Sequence, residues 1–269
     1  MLVDCHVHLD SYTNDEVSEI LKRGRDAGVG FVISAGTTLA STRRSLELSA
    51  KFPDFFSGVG IHPMNIEEPF DDSTYERLKE MALSTDKVLV VSETGLDFMD
   101  GTPDRALQYT AFRQQIRLAR ELGRPVVFHS RESHDEVFRV LREERAYEVG
   151  GVMHYFQGTM AEAKRVMDMG LYISLARPLL RLPELQAVAA NLPLERIVLE
   201  TDSAPQPFKA RRDNWTEPRH TRVIAEKLAE LQGKDVEEVV QATTANMRSL
   251  LGNGWDVVER YVQSATSVG

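Results

Sequence analysis

The chain is short of most features that mark specialised classes of protein. It has one cysteine, Cys5, in 269 residues. No disulfide framework can therefore form within it, which fits a reducing compartment. No apolar run approaches the roughly 20 residues that span a bilayer. Asp4, His6 and His8 interrupt the N-terminus where a signal peptide would need an apolar stretch. A cytoplasmic protein with no membrane partner is expected. Basic residues are also in deficit, and the formal charge is −9. That argues against a protein that coats nucleic acid nonspecifically, because such binding rests on many cation–phosphate contacts. It leaves room for an enzyme with a local cationic pocket. With no Pro/Ser-rich linker, internal repeat or low-complexity run, residues 1–269 read as a single domain.

What is present is alternation. Short apolar, β-branched runs fall at roughly 2–9, 28–36, 55–62, 88–95, 125–130, 150–156, 171–176 and 197–203. Between them lie amphipathic stretches: Glu16–Ala27, Leu39–Lys51, Thr74–Ser84, Pro103–Gly123, Glu132–Arg145, Met160–Met169 and Pro183–Asn191. This strand–helix repeat predicts an α/β fold, a single (β/α)8 TIM barrel. Two further helical patterns, Glu217–Gln232 and Val236–Leu251, precede a short Trp255–Gln263 segment and a polar tail.

The first strand carries two histidines one residue apart. Alternate strand residues share a face, so Val3, Cys5, Val7 and Leu9 are expected on the apolar, helix-facing side. Asp4, His6 and His8 are expected on the other, with Cys5 as core packing. Later strands also end in a His, Glu or Asp: Gly60-Ile61-His62, Val91-Ser92-Glu93, Val127-Phe128-His129, Val152-Met153-His154 and Glu200-Thr201-Asp202. The C-terminal ends of barrel strands are where active sites sit. Taken singly, His154 reads as a core histidine, Glu93 as a turn cap or partner of an arginine, and Asp202 as a helix N-cap or turn residue. Taken together, His6, His8, Glu93, His129, His154 and Asp202 meet at one mouth and read as metal ligands. Four imidazoles and two carboxylates are costly to desolvate without a partner. They are too many for one catalytic ion that keeps an open position. They suit two divalent ions, with zinc, manganese, iron and magnesium all compatible. The expected arrangement has one ion on His6, His8 and Asp202, a second on His129 and His154, and Glu93 bridging. Such a pair, about 3.5–4 Å apart, activates water and stabilises the leaving oxygen of a phosphodiester. Asp202 is the candidate base.

Around this set, Asp4 and Glu200 each lie two residues before a ligand, where an outer partner for an imidazole belongs. His62 points to the mouth as an outer or substrate-binding group. Arg131 and Arg177 follow strands five and seven and are the candidate phosphate-binding cations. Lys209, Arg211 and Arg212 read as a solvated loop. In that loop Phe208 and Trp215 could stack on a base or pack over the barrel end. His134 and His220 fall near helix starts and read as surface residues.

The ordered set of motifs resembles the TatD family of metal-dependent deoxyribonucleases, within the amidohydrolase-like barrels. The resemblance runs from Val3 to about Leu251. It rests on Asp4-Cys5-His6-Val7-His8-Leu9-Asp10, Gly60-Ile61-His62-Pro63, Ser92-Glu93-Thr94-Gly95-Leu96-Asp97 and His129-Ser130-Arg131. It continues in His154-Tyr155-Phe156-Gln157-Gly158, Leu199-Glu200-Thr201-Asp202-Ser203 and Thr243-Thr244-Ala245-Asn246. The resemblance implies the same ligands with Glu93 as bridge, and exonucleolytic trimming of DNA at single-stranded ends. It also implies activity with magnesium or manganese, and a site that zinc can occupy. The chain departs from the family pattern at Ala204, at Trp215-Thr216-Glu217-Pro218 and at Leu175-Ala176-Arg177-Pro178-Leu179-Leu180. Two rival functions share the residues: an ester or amide hydrolase such as a D-aminoacyl-tRNA deacylase, and a non-catalytic subunit that binds nucleic acid or a partner.

Overall fold

Val- and Ile-rich segments pair in parallel, and each amphipathic segment between them crosses back over the outside. The computed structural model describes residues 1–266. The strands are β1 (Leu2–Val7), β2 (Val29–Ser34), β3 (Phe55–Val59), β4 (Val88–Asp97), β5 (Val126–Arg131), β6 (Gly151–Met153), β7 (Tyr172–Leu175) and β8 (Ile197–Leu199). The crossing helices are α1 (Asn14–Asp26), α2 (Leu39–Lys51), α3 (Asp72–Leu83), α4 (Arg105–Leu122), α5 (His134–Glu143), α6 (Met160–Asp168) and α7 (Pro183–Ala189). Then come α8 (Thr221–Gln232), α9 (Val236–Leu251) and α10 (Gly254–Thr266). The strands bond in chain order from β1 to β8. The seam closes just past β8, where His8 N donates to Ser203 O at 2.7 Å and Asp202 N to His6 O at 3.1 Å. The fold is the expected (β/α)8 barrel.

Strand alternation divides the core in two. Phe31, Phe56, Val127, Val152 and Val198 fill the lumen. Val7, Leu48, Phe112, Phe138 and Ile224 pack between barrel and helices. One expectation is reversed here. Val3 and Cys5 belong to the lumen cluster, not to the helix-facing side. Cys5 Sγ lies 3.6 Å from Ser174 Oγ on β7, a strand that does not neighbour β1. The pairing of β1 with β2 shifts register between Asp4 and Val7, so strict alternation fails across the very segment that carries His6. Cys5 is still packing.

The N-terminal end of the barrel is closed by α9 and α10. Met247, Leu250, Trp255 and Val258 join the lumen cluster. The Trp255 ring meets that of Phe31 edge-on at 5.8 Å, and Lys87 Nζ stands 4.7 Å above the Tyr261 ring. The expected Trp255–Gln263 segment is thus a full helix to Thr266, and the last residues of the expected tail, 267–269, lie outside the described residues. At the opposite end, β6 and β8 are shorter than expected. Tyr155 and Asp202 take positive φ of 49° and 52°, which a strand does not allow, so the mouth residues leave the ladder. Among the described residues no helix is long and apolar enough to cross a membrane.

Candidate metal centre

Glu93 is the hub. It comes late in β4, is 3% exposed, and its two oxygens face different histidines. Oε2 lies 3.3 Å from His6 Nε2 and 3.5 Å from His8 Nε2. Oε1 lies 3.1 Å from His129 Nδ1, 2.7 Å from His154 Nε2 and 3.2 Å from His62 Nε2. Asp202 Oδ1 adds to the first side, 3.1 Å from His8 Nε2 and 4.0 Å from His6 Nε2. All six expected ligand residues are brought together. His62 comes closer than an outer group would, because β3 ends beside β4.

The donors fit divalent cations. Two ligands on one tetrahedral ion, each about 2.1 Å from it, stand about 3.4 Å apart. His6 Nε2 and His8 Nε2 are 3.2 Å apart, and with Glu93 Oε2 they form a triangle of that size. His129 and His154 each sit between two carboxylates. His129 has Glu93 at Nδ1 and Asp97 Oδ2 2.9 Å from Nε2. His154 has Glu93 at Nε2 and Glu200 Oε1 3.3 Å from Nδ1. Neither nitrogen of buried His154 is aligned for a hydrogen bond, nor is His6 Nδ1. An imidazole held between two acceptors must carry two protons or face a cation. His62 differs: its Nδ1 accepts from Met64 N at 3.1 Å, so Nε2 is the nitrogen that carries its proton.

Charge follows geometry. Burial alone would raise the Glu93 carboxyl, but the imidazoles of His154, His62 and His129 hold it well below the usual range. Burial likewise works against protonated His8, yet the hydrogen bond and charge of Asp202 push it up to about 9. Asp202 itself is half-buried, which would raise it, but it is held down at about 2, chiefly by His8. His154 is raised well above its ordinary value, because Glu93 and Glu200 outweigh its desolvation.

The surrounding groups divide into those that reach the site and those that do not. Glu200 stands beside His154, its Oε1 3.3 Å from Nδ1, and also accepts from Tyr155 N at 2.7 Å. Asp4 does not support an imidazole. Its carboxylate accepts from Thr201 N and Oγ1 at 2.9 and 2.6 Å, so it ties β1 to the β8 exit. The register shift in β1 is the reason. A cavity of about 650 Å3 opens above the cluster, lined by His8, His62, Glu93, His129, Arg131 and Asp202 among others. Arg177 is outside that lining and donates to Thr216 Oγ1 at 3.0 Å, because the 3-10 turn at Arg177–Leu180 carries it toward the loop after β8. His134, expected at the surface, lines the cavity and lies 2.5 Å from Ser130 Oγ. Trp215 packs beneath Arg212 at 4.3 Å, whereas Phe208 is 79% exposed. Asp97 was missed as a supporting group. It lies on the strand of Glu93, four residues on, and that interval was the signal.

Barrel, mouth and donor set define a hydrolase of the kind that works with divalent metal. Comparison with known proteins agrees. The family profile described as "TatD related DNase" matches residues 3–252, and the chain belongs to the TatD family of metal-dependent hydrolases. It is 32% identical over 258 residues to the "Uncharacterized metal-dependent hydrolase YcfH" of Escherichia coli K12, covering 93% of this chain and 95% of that one. It is 31% identical over 261 residues to the "3'-5' ssDNA/RNA exonuclease TatD" of Edwardsiella piscicida, covering 93% and 98%. The crystal structure of the TatD homologue YjjV from Escherichia coli K12 superposes with a TM-score of 0.84 at 29% identity, covering 93% and 97%.

Proposed function

We propose that this chain, as one cytoplasmic domain, is an exonuclease that trims single-stranded ends of DNA with two divalent ions. The carrying observation is the division of five histidines between the two oxygens of Glu93. His6, His8 and Asp202 would hold one ion, His129 and His154 the other, with Glu93 shared. When bound, such a pair supplies an activated water and neutralises the charge that develops on a phosphodiester. Magnesium or manganese suits the carboxylate and phosphodiester oxygens, and the four imidazoles also accept zinc.

The chain's own residues supply the rest. Asp202 is ionised at neutral pH, and its side chain is 29% exposed, so Oδ1 can take the proton of the attacking water. His62 offers Nε2–H to a phosphoryl oxygen. Arg131 lines the cavity and meets the substrate phosphate. The Edwardsiella piscicida relative is named for action on single-stranded DNA and RNA, which supports the same substrate here.

The test is a time course on end-labelled single-stranded DNA with metal-loaded protein, beside Asp202→Asn and a chelated control. A ladder that shortens from one end, and is lost in both controls, is the expected result. No cleavage with magnesium, manganese or zinc would overturn the nuclease reading and turn attention to carbonyl esters.

A further inference from the structure

Arg131 and His129 are two residues apart on β5, and both are held by one carboxylate. Asp97 ends β4 and is fully buried. Its Oδ2 accepts from His129 Nε2 at 2.9 Å and from Arg131 Nε and Nη2 at 2.9 and 2.6 Å. Its Oδ1 accepts from Met99 N at 3.2 Å. The register explains the meeting, since Asp97 lies directly across from Arg131 and Gly95 across from His129. Asp97 is itself fixed. Its N–H donates to Gln108 Oε1 at 2.8 Å, and its carbonyl accepts from Gln108 Nε2 at 2.9 Å. Gln108 is fully buried on α4 and also donates to Pro103 O at 2.8 Å.

We infer that Asp97 is a positioning residue shared by the metal-binding and substrate-binding halves of the site. A carboxylate only accepts hydrogen bonds, so His129 must keep its proton on Nε2. That leaves Nδ1 turned to Glu93 Oε1 as the ligand atom. The same oxygen grips two of the three guanidinium nitrogens of Arg131. The side chain is thereby held against the cavity wall although it is about half exposed, with Nη1 left for a phosphate. Glu93 and Asp97 thus grasp opposite nitrogens of one imidazole from a single strand.

The inference rests on the nuclease reading only for its substrate half, and the experiment separates the two. Long-range 1H–15N spectra of the zinc-loaded wild type should show His129 with a proton on Nε2 and a metal-shifted Nδ1. The opposite assignment, metal on Nε2, overturns the proposal without any variant having to fold. Zinc titrated alone into Asp97→Asn should bind about 10- to 100-fold more weakly at one of two sites, the other being unchanged. Arg131→Gln should leave both zinc affinities intact and raise KM on the oligonucleotide. Asp97→Asn should raise KM at least as far, and the double variant no further. Unchanged zinc binding in Asp97→Asn, or additive KM effects, would refute a shared role. If the protein cleaves no DNA, the spectra and titrations still decide the metal half.

Discussion

Gly95 presses on the backbone of His129: a β-carbon on Gly95 would come 2.0 Å from the His129 carbonyl oxygen. Its φ of 143° is closed to other residues. Gly95→Ala should cost on the order of 3 kcal/mol of stability, from strain and overpacking together. Since the backbone moved belongs to a proposed ligand, metal affinity should fall as well. Thermal melts and zinc titration check both, and a variant with normal affinity would mean that β5 yields without moving His129.

Metal loading should release protons. In the metal-free protein His8 titrates at about 9, so at pH 7.5 an ion must displace its proton. Apparent affinity should therefore rise with pH until about 9. Calorimetry of zinc binding in buffers of different ionisation enthalpy should give at least one proton released. The same pair affects metal-free stability, with the sign reversed. Its contribution is fully present between the ordinary values of Asp202 and His8, 3.8 and 6.5. It is lost as pH rises through 9 or falls through about 2.

Phe208 offers an aromatic face to solvent in the loop after β8. If bases stack there, Phe208→Ala should raise KM for oligonucleotides about 5-fold or more, the equivalent of roughly 1–3 kcal/mol per base. Hydrolysis of bis(p-nitrophenyl) phosphate, which is too short to reach the loop, should not change. Equal loss on both substrates would assign Phe208 to the fold.

Trp255 closes the other end. Trp255→Ala should destabilise by about 3–5 kcal/mol, because the ring is 5% exposed against the lumen cluster. Zinc affinity should be unaffected at temperatures where the variant is folded. Chemical denaturation and calorimetry read the two effects separately.

The barrel and the meeting of six candidate ligand residues at its mouth were legible because both follow simple periods: strand and helix alternate along the chain, and polar side chains end the strands. Legibility failed where local geometry breaks a period. Asp4 and Cys5 were placed on the wrong sides because β1 shifts register. The ends of β6 and β8 were overdrawn because Tyr155 and Asp202 turn to positive φ, which a tyrosine does not announce and an aspartate signals only weakly. Arg177 looked equivalent to Arg131, yet only a partner remote in sequence decides where a long cation points: Thr216 for one, Asp97 for the other. Helix α10 continues past its apolar stripe to Thr266, which the stripe alone could not show.

The lone thiol sits in the middle of the lumen, 2% exposed and 4.0 Å from Glu200, where burial and that carboxylate push its pKa well up. It is chemically silent while the barrel is closed. A disulfide reagent such as Ellman's can reach it only when the strands part. Cys5 is thus a built-in clock for barrel opening: its labelling rate, with and without metal, measures how far occupancy of the mouth locks the whole cylinder.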